Sequence, residues 1–193
     1  MSLSLRSQLD ASCAVIQSLA AQAGVVEQIA AIICDALLAD HMLLTCGNGG
    51  SATDAQHLAE ELIGRYRANR RALPAVALTA DSAALTCIAN DFGYAAVFAR
   101  QVEALARPGD VLVCFSTSGN SPSIVAALNA ARARGALSVA LLGKGGGAAR
   151  ELADHNVVVA SDDTARIQEA HLQILHFICE AVETACLLRD PVL

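Results

Sequence analysis

Five short apolar runs, 42–46 (MLLTC), 75–79 (AVALT), 111–115 (VLVCF), 137–142 (LSVALL) and 157–160 (VVVA), recur along this chain with Ala-rich stretches of helical period between them. Most runs are bounded by Gly, Pro or Asp and do not alternate with polar residues, as strands buried on both faces require. The helical stretches fall at 51–66, 82–106 with a break near Gly93, 122–134, 147–153 and 164–188. Strands alternating with helices give a parallel sheet with helices on both faces, a three-layer αβα sandwich of five strands. Ahead of it, Leu5, Leu9, Cys13, Ile16 and Leu19 keep helical spacing, a break comes near Gly24, and Val26, Ile29, Ile33 and Leu37 resume it. The chain therefore divides into an N-terminal helical pair, 1–40, and an α/β domain, 41–193.

Such a sheet needs a large apolar interior. Of 193 residues 54% are hydrophobic and 17% charged, while aromatics make up only 3% and Trp is absent. The core must be built from Ala, Leu, Val and Ile, and so much apolar helical surface in the first 40 residues points to burial between subunits. The net charge of −6 argues against a nucleic-acid partner. The one basic run, 65–71 (RYRANRR), reads as helix-end charge plus a solvated loop. Cys13, Cys34, Cys46, Cys87, Cys114, Cys179 and Cys186 show no CxxC spacing and lie mostly among apolar neighbours. They read as buried thiols of a reducing cytosol. No n-region leads into an apolar h-region and no run reaches about 18 uninterrupted apolar residues, so neither export nor a membrane span is expected.

Two turns carry the chemistry. The run 42–46 leads into Gly47-Asn48-Gly49-Gly50-Ser51, and the run 111–115 into Ser116-Thr117-Ser118-Gly119-Asn120-Ser121-Pro122. Both lie at strand C-termini, where open α/β sheets bind ligands. Glycines permit close backbone approach, helix N-termini favour anions, and hydroxyls add neutral donors. Read singly, Ser51 and Ser121 are equally ordinary N-caps, with Pro122 at the first helical position. Four hydroxyls between 116 and 121 exceed what one cap needs. Neither turn carries a GxGxxG or Walker pattern, so a phosphate monoester on a sugar is the better ligand.

The helix opened by Ser51 places His57 and Glu61 four residues apart on one face. Such a pair suits acid–base work on an enediol, suits a metal, or simply solvates a helix beside Glu60. The last helix sets Gln168, His171 and His176 among Ile167, Ile174, Leu175, Phe177 and Ile178. Gln168 and His176 stand about 80° apart around it, and a core histidine held by hydrogen bonds is the alternative for either imidazole. Lys144, the only lysine, lies in Gly143-Lys144-Gly145-Gly146-Gly147 and reads as a phosphate contact or as part of a mobile glycine loop. His41 and His155 read as solvated turn residues, and Asp81-Ser82 as a helix cap.

Taken together, CGNGGS at 46–51, NDFGY at 90–94, STSGNS at 116–121 and RIQEAHLQILH at 166–176 resemble the phosphoheptose isomerases of the sugar-isomerase (SIS) domain superfamily. The resemblance spans essentially the whole chain and implies an SIS-type, flavodoxin-like fold. It implies that Ser116, Thr117, Ser118 and Ser121 bind the sugar phosphate, with Asn48, Gly49, Gly50 and Ser51 also lining the site. It implies Glu61 as general base, His176 as general acid, and His57, Glu61, Gln168 and His176 as the ligands of one zinc ion per subunit. Arg65, Asn90, Asp91 and Gln168 match further substrate positions. An acidic residue that some members place before the RIQE stretch is Ala165 here, with Asp163 nearest to it.

The expected activity is conversion of sedoheptulose 7-phosphate to D-glycero-D-manno-heptose 7-phosphate, the first step of ADP- or GDP-heptose synthesis for lipopolysaccharide. The expected protein is a cytoplasmic homotetramer with sites at subunit interfaces. Two alternatives stand beside it: a catalytically silent SIS scaffold that binds the replication initiator, and an isomerase of another sugar phosphate. Glu61 and His176 argue against the scaffold.

Overall fold

A computed structural model describes residues 4–189. The apolar runs become β1 (Leu43–Gly47), β2 (Ala75–Ala77), β3 (Val111–Ser116), β4 (Leu137–Leu142) and β5 (His155–Val158). They form one parallel sheet in the order β2-β1-β3-β4-β5. The strand order changes direction between β1 and β3, and at that switch point α/β sheets open a crevice. β1 and β3 pair in register, Leu43 beside Val111 and Cys46 beside Cys114. The turns that follow them therefore emerge side by side.

Around the sheet lie α1 (Leu5–Ser18), α2 (Ala23–Leu38), α3 (Gly50–Ile63), α4 (Ser82–Phe92), α5 (Ala99–Leu105), α6 (Pro122–Arg134), α7 (Ala149–Leu152) and α8 (Thr164–Arg189). Successive strand residues face opposite ways. Leu43, Val111, Val113 and Phe115 join Ile29 and Ile33 of α2, Leu58 and Leu62 of α3, and Ile174 and Ile178 of α8 in one core. Leu44, Cys46, Leu112 and Cys114 join Val102 of α5 and Ile124 and Leu128 of α6 in the other. Each such side chain, fully buried, contributes ~1.5–3 kcal/mol. The stretches Leu5–Leu38 and Thr164–Arg189 are long and apolar enough to cross a membrane. In α8 that apolarity serves the core, for Ile167, Ile174, Leu175, Ile178 and Val182 are all buried. α1 buries none of its residues and leaves Leu5 and Leu9 exposed.

Some boundaries move. The N-terminal break falls at a 3₁₀ turn, Leu19–Gln22, ahead of Gly24. There Gln22 donates from Nε2 to the Val158 carbonyl at 2.9 Å and accepts from its N–H at 3.3 Å. That side chain covers the open edge of β5 as a neighbouring strand would. The 82–106 stretch breaks at Gly93, φ 82°, and a second 3₁₀ turn, Tyr94–Ala96, separates α4 from α5. β2 is an edge strand and stops at Ala77. β5 starts at His155, paired with Val139 of β4, so that histidine belongs to a strand and not to a turn.

Candidate active site

The two serine turns share one cavity of about 260 Å³, lined by Asn48, Gly50, Ser51, Ser116, Thr117, Ser118, Ser121 and Gln168 together with Phe115 and Thr164. Neither serine acts as a side-chain cap. α3 begins at Gly50 with Gly49 as its N-cap, so Ser51 already lies within the helix. Ser121 is the N-cap of α6 but makes no capping bond. Its Oγ accepts instead from Asn48 Nδ2 at 2.9 Å, and the same amide donates to Ser123 Oγ at 3.0 Å. Ser116 Oγ accepts from the Gly119 N–H at 3.1 Å, and Ser118 Oγ from the Asn120 N–H at 3.2 Å. With these oxygens accepting, the hydroxyl hydrogens are left for a ligand, and the turn suits an anion.

The glycine loop around Lys144 buttresses this turn. Gly119 has φ 64°, and a Cβ there would fall 1.8 Å from the Gly146 carbonyl oxygen. The Ala149 N–H donates to the Gly119 carbonyl at 2.9 Å and the Ala148 N–H to Asn120 Oδ1 at 3.0 Å. Lys144 itself is exposed.

α3 and α8 pack together from the cavity outwards. At Gly50 a Cβ would lie 2.3 Å from Gln168 Nε2, so the helices meet closely there. Gly50, Asp54, His57 and Glu61 then form one stripe of α3, at spacings that share a face. At its far end His57 Nε2 stands 3.2 Å from Glu61 Oε1. The rings of His57 and His176 meet edge-on with centroids 5.3 Å apart, and Tyr66 lies 5.8 Å from His176. The Arg70 guanidinium donates to the carbonyls of Glu61 at 2.6 Å, Leu62 at 2.8 Å and Arg71 at 2.8 Å. That closes the open carbonyl end of α3. Buried Glu183 accepts from the N–H groups of Arg67 at 3.0 Å and Ala68 at 2.9 Å, holding the loop that presents Tyr66.

The ligand atoms of His57, Glu60 and Glu61 lie within 4.8 Å of one another, and His176 stands beside them. Imidazoles plus a carboxylate are donors that zinc takes. Gln168 sits with the turns, two helical turns or ~12 Å along α8 from His176. Burial and the neighbouring His57 push the His176 pKa down, Glu61 opposing. A neutral imidazole can ligate a metal, or polarise a carbonyl through its N–H.

Asp54 lies between the two clusters. Its Oδ2 is buried without a partner, and burial pushes its pKa from 3.8 up to about 6, His57 opposing. The folded chain thus prefers this carboxyl neutral. The stability it contributes is fully present below about pH 4 and is lost as pH rises through about 6. Asp54→Asn, neutral throughout, is expected to melt above the parent at pH 8 in chelator-treated protein, with the gap closing by pH 4. A gap independent of pH would contradict that origin.

Some residues named from sequence stay outside both clusters in the single chain. Arg65 is exposed beyond α3. Asn90 donates to Asp91 at 2.8 Å, and Asp91 also lies 3.7 Å from the Cys87 thiol, so these contacts stay within α4. α4 buries none of its residues. Asp163 Oδ1 accepts from the Ala165 N–H at 2.8 Å, which gives it a capping place at the start of α8. Asp81 caps α4 through the Ala84 N–H at 3.0 Å. Five residues escaped the sequence reading: Asp54, Tyr66, Tyr94, Ser123 and Thr164. The NDFGY segment contained Tyr94, whose hydroxyl meets Asn48 Oδ1 at 2.7 Å, and the four-residue step from Gly50 contained Asp54.

Known proteins resemble this chain in sequence and in fold. The SIS domain model matches residues 9–143. A phosphoheptose isomerase from Akkermansia muciniphila is 50% identical over 183 residues, covering 95% of this chain and 97% of that one. One from Geobacter sp. strain M21 is 47% identical, covering 96% and 97%. The solved phosphoheptose isomerase of Neisseria gonorrhoeae superposes with a TM-score of 0.88 at 40% identity, covering 93% of this chain and 97% of that one. That of Francisella tularensis gives 0.90 at 33% identity, covering 93% and 96%. With its five-stranded parallel sheet, its two serine turns and likeness of this extent, the chain belongs to the phosphoheptose isomerase family of SIS-domain proteins.

Proposed function

We propose that this chain converts sedoheptulose 7-phosphate to D-glycero-D-manno-heptose 7-phosphate by proton transfer through an enediol. The observation that carries the reading is one continuous helix pair, α3 with α8, running from a cavity of hydroxyl donors to the cluster of His57, Glu61 and His176. Seven residues of helix, ~10 Å of rise, separate Gly50 from His57. That span fits an extended sugar phosphate held by its phosphate end.

In this reading Ser116, Thr117, Ser118 and Ser121, with Asn48, Gly49, Gly50, Ser51 and Gln168, seat the phosphate and adjoining hydroxyls. Glu61 takes a proton from C1 of the ketose as His176 gives one to the carbonyl oxygen at C2, forming the enediol. Glu61 then returns a proton to C2 as His176 takes the proton from O1, giving the aldose. His57, Glu61 and His176 would hold one zinc ion per subunit, while Gln168, the fourth donor implied by the resemblance, lies with the serine turns and serves the substrate there. A bound ion supplies charge stabilisation for the enediolate oxygens. Arg65, Asn90 and Asp91, exposed in the single chain, reach substrate at subunit contacts of a homotetramer. The helical pair 1–40, with Leu5 and Leu9 exposed and an apolar groove beside Leu19, Ala23 and Phe177, supports that assembly. The place of action is the cytoplasm, and the product feeds heptose synthesis for lipopolysaccharide.

NMR of the protein incubated with sedoheptulose 7-phosphate tests the reading, with an aldose phosphate expected. Silence with this sugar but turnover of another phosphate would move the substrate and leave the reaction class standing.

A further inference from the structure

We infer that Tyr94 is a positioning residue for phosphate binding, whose hydroxyl sets the donor direction of the second serine turn through Asn48. The inference rests on the reading of the two turns as the phosphate seat. Tyr94 follows the bend at Gly93, φ 82°, where α4 ends. That bend carries its hydroxyl to Asn48 Oδ1, to which it donates at 2.7 Å. The oxygen side of the amide is thereby committed to Tyr94, and Nδ2 faces the other turn. There it donates to Ser121 Oγ at 2.9 Å and to buried Ser123 Oγ at 3.0 Å. The two serine oxygens lie 3.1 Å apart.

An amide nitrogen only donates. Its two hydrogens occupy a lone pair on each serine, and with Ser123 donating across the 3.1 Å contact to Ser121 the Ser121 O–H is left to point at a ligand. Donation then runs one way, from Tyr94 to Asn48 to Ser121 to the anion. A phosphate oxygen only accepts, so the reversed amide would be the wrong polarity. Oδ1 would then draw the serine hydrogens and turn lone pairs towards the ligand. The Tyr94 side is 59% exposed, so loss of the hydroxyl leaves core packing intact and removes only this polar contact.

Tyr94→Phe is expected to raise KM for the sugar phosphate and the inhibition constant of inorganic phosphate by the same factor, about three- to tenfold, with kcat unchanged. In an Asn48→Ala background the same substitution should add nothing, because its effect passes through that amide. An equal effect in both backgrounds, a fall in kcat at constant KM, or no change in either constant would overturn the inference. Ser118→Ala separates this outcome from the reading beneath it. Weakened phosphate inhibition in Ser118→Ala with none in Tyr94→Phe overturns the role of Tyr94 alone. If neither variant alters phosphate inhibition, the phosphate seat is misplaced and the role of Tyr94 falls with it.

Discussion

Glu61→Gln is expected to lower turnover by about two to four orders of magnitude while the fold and the affinity for inorganic phosphate persist. Glutamine matches glutamate in shape and can still meet His57, where the carboxylate now stands 3.2 Å from Nε2. It cannot accept a proton from carbon. The Glu61 side chain is 16% exposed, and the α3 backbone beneath it is held by Arg70. Little else should change, so the loss falls on kcat. His176→Ala is expected to lower turnover in the same way. A Glu61→Gln protein working at nearly the parental rate would remove this carboxylate from the reaction.

The second large effect concerns acid stability and comes from His171, for which the sequence offered the reading of a core histidine held by hydrogen bonds. Its side chain is completely buried. Nε2 lies 3.2 Å from the Leu142 carbonyl, and the ring meets Phe115 at 6.1 Å. With Nε2–H donating to that carbonyl, the imidazole ties α8 to the end of β4 in its neutral form. Burial pushes the pKa from 6.5 down to about 4, the Leu142 contact opposing. The unfolded chain therefore takes up a proton at a pH where the folded chain refuses it. Stability is fully present above about pH 6.5 and falls as pH drops towards 4, by on the order of 3 kcal/mol. Denaturant titrations across that range should show the fall, and His171→Gln, which keeps a donor but cannot titrate, should lose much of it. NMR of the parent should show one imidazole still neutral at pH 5. An unchanged acid slope in the variant, together with a His171 ring that titrates near 6.5, would contradict this origin.

Much of the fold was legible because buried parallel strands are unbroken apolar runs. Those runs located β1, β3 and β4 closely, whereas edge strands β2 and β5, each with one neighbour, shifted at their ends. The turns were legible as ligand seats, yet their hydroxyls read equally well as caps. Only the contact of Asn48 with Ser121 and Ser123 distinguishes the two, and it joins segments far apart in sequence. The pairing of Glu61 with His176 has the same character, since it needs α3 laid along α8. Helical spacing alone put His57 beside Glu61 and left the partner helix undetermined. Asp54 was missed because an acidic residue one turn into a helix is ordinary until the neighbouring helix buries its oxygen. Arg70, by contrast, sits in a basic run whose reading as helix-end charge describes what its guanidinium does at the carbonyls of α3.

The most direct measurement is the incubation with sedoheptulose 7-phosphate carried out in D₂O and followed by NMR. A carboxylic acid that holds the proton while the enediol lasts exchanges part of it with solvent, so an aldose phosphate bearing deuterium at C2 in part of the product is expected from the parent and a trace or none from Glu61→Gln. An aldose phosphate formed as fast and with as much deuterium by Glu61→Gln as by the parent would contradict proton transfer by this site.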